Sequence, residues 1–242
     1  MARSYQYHGI SKFPVDARLG ETLQTVTQLT YLADGDDGAH SEIRFVGESD
    51  HPEFWKYFVR HETVENRKVR FEQKDRNQVI FVEEFHLYIP PNFSYLYVDA
   101  TGKSARELLK RIQIASPGFT YTLREINLFE LRQKLHANVR GGWFKELDIV
   151  DVSTAAIFGA NVGESDEWQR YEGAGKLSAL VLEFKHQGVH HSVNVSLNGS
   201  ITLYANYSER DSLDLVELIN NIVMKFSEEF APRSRRGSKK KV

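Results

Sequence analysis

Four short stretches of this chain carry residue types that can do chemistry. Thr101-Gly102-Lys103-Ser104 follows an alternating apolar run and opens a helical stripe. A phosphate loop of the form G-x-x-x-x-G-K-[ST] would need its first glycine at position 97, where Tyr97 stands. The stretch therefore reads as an N-capped helix start, whose free amides and Lys103 still favour an anion. Glu183-Phe184-Lys185 closes the apolar run Leu180-Val181-Leu182. A carboxylate and an amine two positions apart on a strand share one face, as the ordinary alternation of an exposed strand also places them. Asp34, Asp36 and Asp37 in DGDDG offer oxygen ligands, but the fifth and sixth positions from Asp34 are Gly38 and Ala39, which breaks the calcium-loop order and leaves a hairpin turn. His190 and His191 are adjacent on a strand, so they point to opposite faces. The chain has no cysteine, which excludes disulfides, thiol catalysis and thiolate-ligated metals. No metal and no cofactor is expected.

These residues need elements to position them. Residues 24–33 and 42–47 flank the Asp/Gly cluster as a hairpin, and Phe54, Trp55, Phe58 and Val59 stand at helical spacing over 52–61. Strands are predicted over 67–73, 79–89 and 94–100, then a helix over 103–114. A strand over 119–124, a helix over 127–138, a long apolar stretch over 143–160 and a surface loop over 161–175 follow. A strand over 177–185 leads to a hairpin with Asn198-Gly199 at its turn, predicted as type I′. A helix over 210–226 closes the chain, with Ser208 or Asp211 as its cap.

Residues 96–112 (LYVDATGKSARELLKRI) align without a gap with residues 203–219 (LYANYSERDSLDLVELI). Each copy follows an alternating hairpin and ends in a helical stripe. The expected fold class is α+β, in two related halves, each a mostly antiparallel sheet packed on a closing helix. The halves are 1–115 and 116–230, with a basic tail at 231–242. In element order alone, the last two-fifths of each half resemble folds that pack a helix on a curved antiparallel sheet. The TATA-binding protein is a duplicated example and the START-like helix-grip proteins are unduplicated ones. The repeat places Tyr95, Tyr97 and Asp99 on an outer sheet face of the first half, together with His86, Tyr88, Lys68 and Arg70. It places Tyr204 and Asn206 on the matching face of the second.

The Glu183-x-Lys185 pair at a strand end resembles the PD-(D/E)xK nucleases. That resemblance implies a second acid on the neighbouring strand, for which Asp148, Asp151 and Asp166 are the candidates. It also implies a helix soon after the pair, where this sequence has a hairpin instead.

Charge narrows the partners. Net charge is −2, and the tail 231–242 carries six basic residues and no acid, so residues 1–230 hold −8. Residues 60–140 hold 14 Lys+Arg against 10 Asp+Glu. An acidic body argues against a general polyanion binder and leaves a local basic face. The N-terminal MARSYQYHGISKFP lacks the apolar core of a signal peptide, and no apolar run is long enough to cross a membrane, so a cytoplasmic protein is expected. The composition suits a bacterial or phage accessory protein. The expected function is a non-catalytic binding protein of a macromolecular complex. Its open sheet faces would take a protein partner through Tyr95, Tyr97, Asp99, Tyr204 and Asn206. A nucleic-acid contact would run through residues 60–140 (Lys68, Arg70, Lys103) and the tail. Two alternatives stand beside it: a metal-dependent nuclease using Glu183 and Lys185, and a small-ligand carrier with a cavity behind Val195, Leu203 and Leu215.

Overall fold

A computed structural model describes residues 2–11, 13, 27–30, 39–116, 118–123 and 125–224. It shows an α+β protein with antiparallel sheet and, among the described residues, four α-helices. The chain divides into two compact units. One comprises residues 3–121 with 207–214, the other residues 122–206 with 215 onward and residues 1–2.

The first unit holds strands β1 (Arg3–Ser11), β2 (Thr27–Thr30), β3 (His40–Glu48), β4 (Trp55–Glu65), β5 (Val69–Phe71), β6 (Lys74–Arg76), β7 (Val79–Ile89) and β8 (Tyr95–Asp99), then helix α1 (Gly102–Ala115) and the short β9 (Thr120–Thr122). Its sheet runs β1-β8-β7-β4-β3-β2, with β9 paired to β1. Period-2 alternation sends side chains to opposite faces. Tyr57, Val59, Leu87, Leu96 and Val98 pack with Ala105, Leu108, Leu109 and Ile112 of α1 in one apolar core. The helix starts where the sequence capped it, with Thr101 Oγ1 accepting from the Ser104 amide at 3.3 Å.

Residues 52–61 are not a helix. β4 lies between β3 and β7, and Tyr57, Val59 and His61 are buried in strict alternation. The spacing 54, 55, 58, 59 fits a helix, but Trp55, Tyr57 and Val59 alternate in the same window, and the β-forming Trp, Tyr, Phe and Val decide for strand. The strand predicted over 67–73 is interrupted at Glu72-Gln73, both with positive φ, and these two residues turn β5 back onto β6.

The second unit holds α2 (Leu128–Leu135), β10 (Asn138–Ile149), β11 (Val152–Phe158), α3 (Asp166–Ala174), β12 (Lys176–His186), β13 (Val189–Ser196) and β14 (Ser200–Leu203), with sheet order β11-β10-β12-β13-β14. The last helix, α4 (Glu209–Met224), begins in the first unit and continues in this one. Ser208 is its cap, accepting from the Asp211 amide at 3.1 Å. The stretch 161–175 is not a loop. Ser165 caps α3 by accepting from the Trp168 amide, and buried Trp168 packs on Phe144 with ring centroids 4.9 Å apart. The turn at 198–199 is not type I′, because only Gly199 has positive φ (83°). The Gly199 amide bonds Ser196 O and the strands re-pair at Val195 and Ile201, the pattern of a hairpin that absorbs one left-handed glycine.

Among the described residues no helix is long and apolar enough to cross a membrane. The cluster Asp34, Asp36, Asp37 and the tail 231–242 lie outside the described residues.

Candidate functional site

The sheet face expected to be open is covered within its own unit. Tyr97, Tyr88 and Tyr5 are buried, and Tyr95 and Asp99 are half-buried. Phe54 sets its ring edge on Tyr97 (5.7 Å) and Tyr95 (6.2 Å), and Tyr7 stacks beside both. Residues 207–214, which include the first turn of α4, close the remainder. The Glu209 carboxylate is ion-paired with Lys56 Nζ, accepts from Tyr88 Oη at 3.1 Å, and accepts from the Asp50 amide at 3.0 Å. His51 Nε2 meets Asp214 Oδ1 at 3.0 Å. Burial alone would raise the Glu209 carboxyl, but Lys56, the Asp50 amide and Tyr88 outweigh it and hold it below the ordinary range. Burial first, then Glu209, pushes the Tyr88 hydroxyl up. Burial also raises Asp99, against the pull of Arg3. The buried Tyr5 and Ser212 hydroxyls are neighbours without a hydrogen bond of full geometry. This cluster is a latch, and it removes Tyr97 from any stacking role.

Exposure lies elsewhere in the same unit. β4 and β7 remain paired out to Glu65 and Val79, but β3 stops beside His61 and β8 reaches only Leu87. Beyond those points the pair has no third strand among the described residues, and β5 and β6 continue it to the turn at Glu72-Gln73. From Glu62 to that turn the chain reaches up to about 33 Å at about 3.3 Å per residue. Ile80, Phe81 and Val82 are consecutive and 44, 39 and 47% exposed, so both faces of this β-arm are wet. Its tip, residues 66–78, carries Arg67, Lys68, Arg70, Lys74 and Arg76 against Glu72 and Asp75. Lys68 and Arg70 are both exposed there.

At the arm's root lies α1, with Lys103, Arg106, Lys110 and Arg111 against one acid, Glu107. Lys103 is 64% exposed and 3.9 Å from Glu65 of the arm. Arg111 Nη1 donates to Ser41 Oγ at 2.7 Å and approaches His61 Nδ1 at 3.2 Å. Ser41 Oγ in turn lies 2.7 Å from His61 Nδ1, while His61 Nε2 sits 3.8 Å from Glu107. With Arg111 filling the Ser41 oxygen, the serine proton goes to Nδ1 and the imidazole is neutral. Burial first, then Arg111, lowers His61 to about 4. A serine, a histidine and a glutamate in a row resemble hydrolytic machinery, but Ser41 and His61 are fully buried and no substrate reaches the hydroxyl. The row instead positions the Arg111 guanidinium.

In the second unit, Tyr204 is 48% exposed and Asn206 is exposed just beyond β14. Glu183 is half-buried, 3.5 Å from Arg140 Nε, and Lys185 is exposed opposite His190. Glu183 pairs in register with Asn138 at the start of β10, whereas Asp148 lies ten residues on near the far end of that strand, up to about 33 Å away at about 3.3 Å per residue. These two acids do not share a metal. Asp151 turns β10 into β11, and Asp166 starts α3. Val195, Leu203 and Leu215 are buried. Among the described residues no group of three or more His, Asp or Glu is placed to hold a metal ion.

The structure therefore brings Lys103 to the root of the arm that carries Lys68 and Arg70, and separates all three from Tyr97. Sequence reasoning missed Arg67, Lys74, Arg76, Lys110 and Arg111. The signal was present: five basic residues in 66–78, and Lys103, Lys110 and Arg111 at helical spacings of seven and eight. No protein-family model matches this chain, and no curated protein matches it.

Proposed function

We propose that this is a non-catalytic nucleic-acid-binding protein that acts as an accessory in a larger complex, and that the β-arm of residues 62–84 is its contact. One observation carries the reading: a two-stranded arm, exposed on both faces from Glu65 and Ile80 outward among the described residues, ends in a tip of net charge +3 on a chain whose first 230 residues hold −8. A two-stranded ribbon fits a nucleic-acid groove. Lys68, Arg70 and their neighbours meet phosphates, and α1 continues the basic surface at the root. Ile80, Phe81 and Val82 favour a second contact, since apolar strand surface this exposed suits a protein partner.

The test is fluorescence anisotropy of labelled single- and double-stranded DNA and RNA with the full chain, from about 50 to 200 mM salt. The expected result is affinity falling with salt, with a slope of about −0.9 per phosphate contact on duplex. The double variant Lys68→Glu, Arg70→Glu should lose about two contacts from that slope. Binding that is flat in salt, or equal in the variant, would sink the nucleic-acid reading and leave the protein partner.

We infer further that the two halves share an origin. Leu96, Leu108, Leu109 and Ile112 are buried in one copy, and Leu203, Leu215, Val216 and Ile219 in the other. The scaffold positions support the repeat. Tyr97 and Tyr204, buried and half-exposed, do not share a role.

A further inference from the structure

Between α1 and β4, within the first unit, lies a cavity of about 300 Å³. Lys103, Glu107, Lys110 and Arg111 line it from one face of the helix, and Thr63 and Val64 line it from the strand. Among the described residues the ionised lining sums to +2. The Lys103–Glu65 pair at 3.9 Å is exposed on both sides and neutralises little. Lys110 has no ion-pair partner among the described residues. Arg111 is held in place from beneath by Ser41 and His61. A single carboxylate is satisfied by one bidentate guanidinium. Three cations spread over two helical turns match an anion with more charge and three terminal oxygens. Val64 and Ile114 add an apolar wall, and the volume is at the lower end of small-ligand sites.

We propose that this cavity binds a phosphomonoester, its phosphate among Lys103, Lys110 and Arg111 and its attached sugar-sized group against Val64 and Ile114. Thr63 and Val64 belong to the root of the arm, but the three phosphate-facing cations are all on α1 and none is among the tip residues Lys68 and Arg70. The same chemistry is offered by a free phosphate ester and by the 5′-phosphate of a nucleic-acid strand.

The experiment is isothermal titration of the full chain with inorganic phosphate, 5′-AMP and adenosine at constant ionic strength. A 5′-phosphorylated oligonucleotide and its 5′-hydroxyl counterpart then serve as competitors. 5′-AMP is expected to bind at least tenfold more tightly than adenosine. Lys110→Glu should weaken 5′-AMP at least tenfold while the melting temperature stays that of the wild type, because Lys110 is an exposed helix residue. Competition by the phosphorylated strand alone assigns the site to strand ends. Competition by neither strand assigns it to a free ester. Absence of binding by phosphate and 5′-AMP at about 10 mM, where even a millimolar site fills, overturns the proposal. Equal binding by Lys110→Glu overturns it as well. Neither failure touches the arm, which is read on Lys68 and Arg70.

Discussion

His8 makes the first unit sensitive to acid, and the size of the effect follows from its surroundings. The side chain is buried on β1, neither ring nitrogen has a hydrogen-bond partner among the described residues, and Tyr121 stands edge-on at 6.0 Å. Burial first, then the nearby Arg106 charge, lowers it to about 4. In the unfolded chain a histidine titrates near about 6.5. The folded state therefore holds His8 neutral while the unfolded state gains a proton, so stability is whole above about 6.5 and is lost as pH falls from there towards about 4. Between pH 7.5 and 5.5 the loss is about 1.3 kcal/mol, from about 1.36 kcal/mol per pH unit and partial titration at the upper end. His61, buried and also lowered to about 4, adds a similar amount. His8→Leu removes one of the two contributions and nothing else that titrates. Urea unfolding at both pH values, with hydrogen exchange of the β1 and β8 amides assigning the transition, measures it. The variant should lose about 1.3 kcal/mol less than the wild type on acidification. At pH 7.5 it should be no less stable by more than about 1 kcal/mol, since an unpartnered buried imidazole is itself costly. If the gap between wild type and variant is the same at both pH values, His8 is not held neutral by burial and the reasoning fails.

Glu209→Ala should cost about 2–4 kcal/mol in urea unfolding at neutral pH, because Lys56 is left mostly buried without its partner and Tyr88 and the Asp50 amide lose their acceptor. The Glu209 carboxyl is lowered, so its contribution is present above about 4.5 and fades as pH falls through the folded value; a penalty that persists undiminished in strong acid contradicts the latch. Gly142→Ala should cost about 1–3 kcal/mol, since an added Cβ would stand 2.6 Å from the Trp168 ring. A melting temperature and tryptophan fluorescence equal to the wild type would show that α3 does not press on β10 there.

What was legible in the sequence was local. The Leu108, Leu109, Ile112 stripe after Thr101 and the alternation in 189–203 each specify an element from neighbouring residues, and both elements formed. Residues 52–61 misled because their apolar positions, Tyr57 included, satisfy two periods. Only the strands on either side, β3 and β7, resolve that ambiguity. The start of α3 was legible and overlooked, since Ser165-Asp166-Glu167 is a helix cap with acids in its first turn. The cover on Tyr97 was not legible. It comes from Phe54 and Tyr7, while Tyr88 on the same face is met by Glu209, more than a hundred residues further on; alternation says which face a side chain takes but not what lies over that face. The basic arm was half legible: Lys68 and Arg70 stood out by charge, and their exposure followed only from where β3 and β8 stop.

That stopping point also reconciles the basic tip with an acidic chain. The tip holds +3 and α1 holds +3, which leaves −14 on the other residues up to 230. At physiological ionic strength exposed charges are screened beyond about 8 Å. At about 3.3 Å per residue Arg70 and Lys74 stand about 26 to 30 Å, some three screening lengths, from Glu62 at the root, whereas Arg67 and Lys68 lie only about 7 to 10 Å from Glu65. On the proposed reading, Arg70 and Lys74 would meet phosphate with little of the repulsion that the acids at the base impose at contact distance. At about 10 mM salt the screening length grows to about 30 Å, comparable with the arm, and the acidic base is felt at the tip.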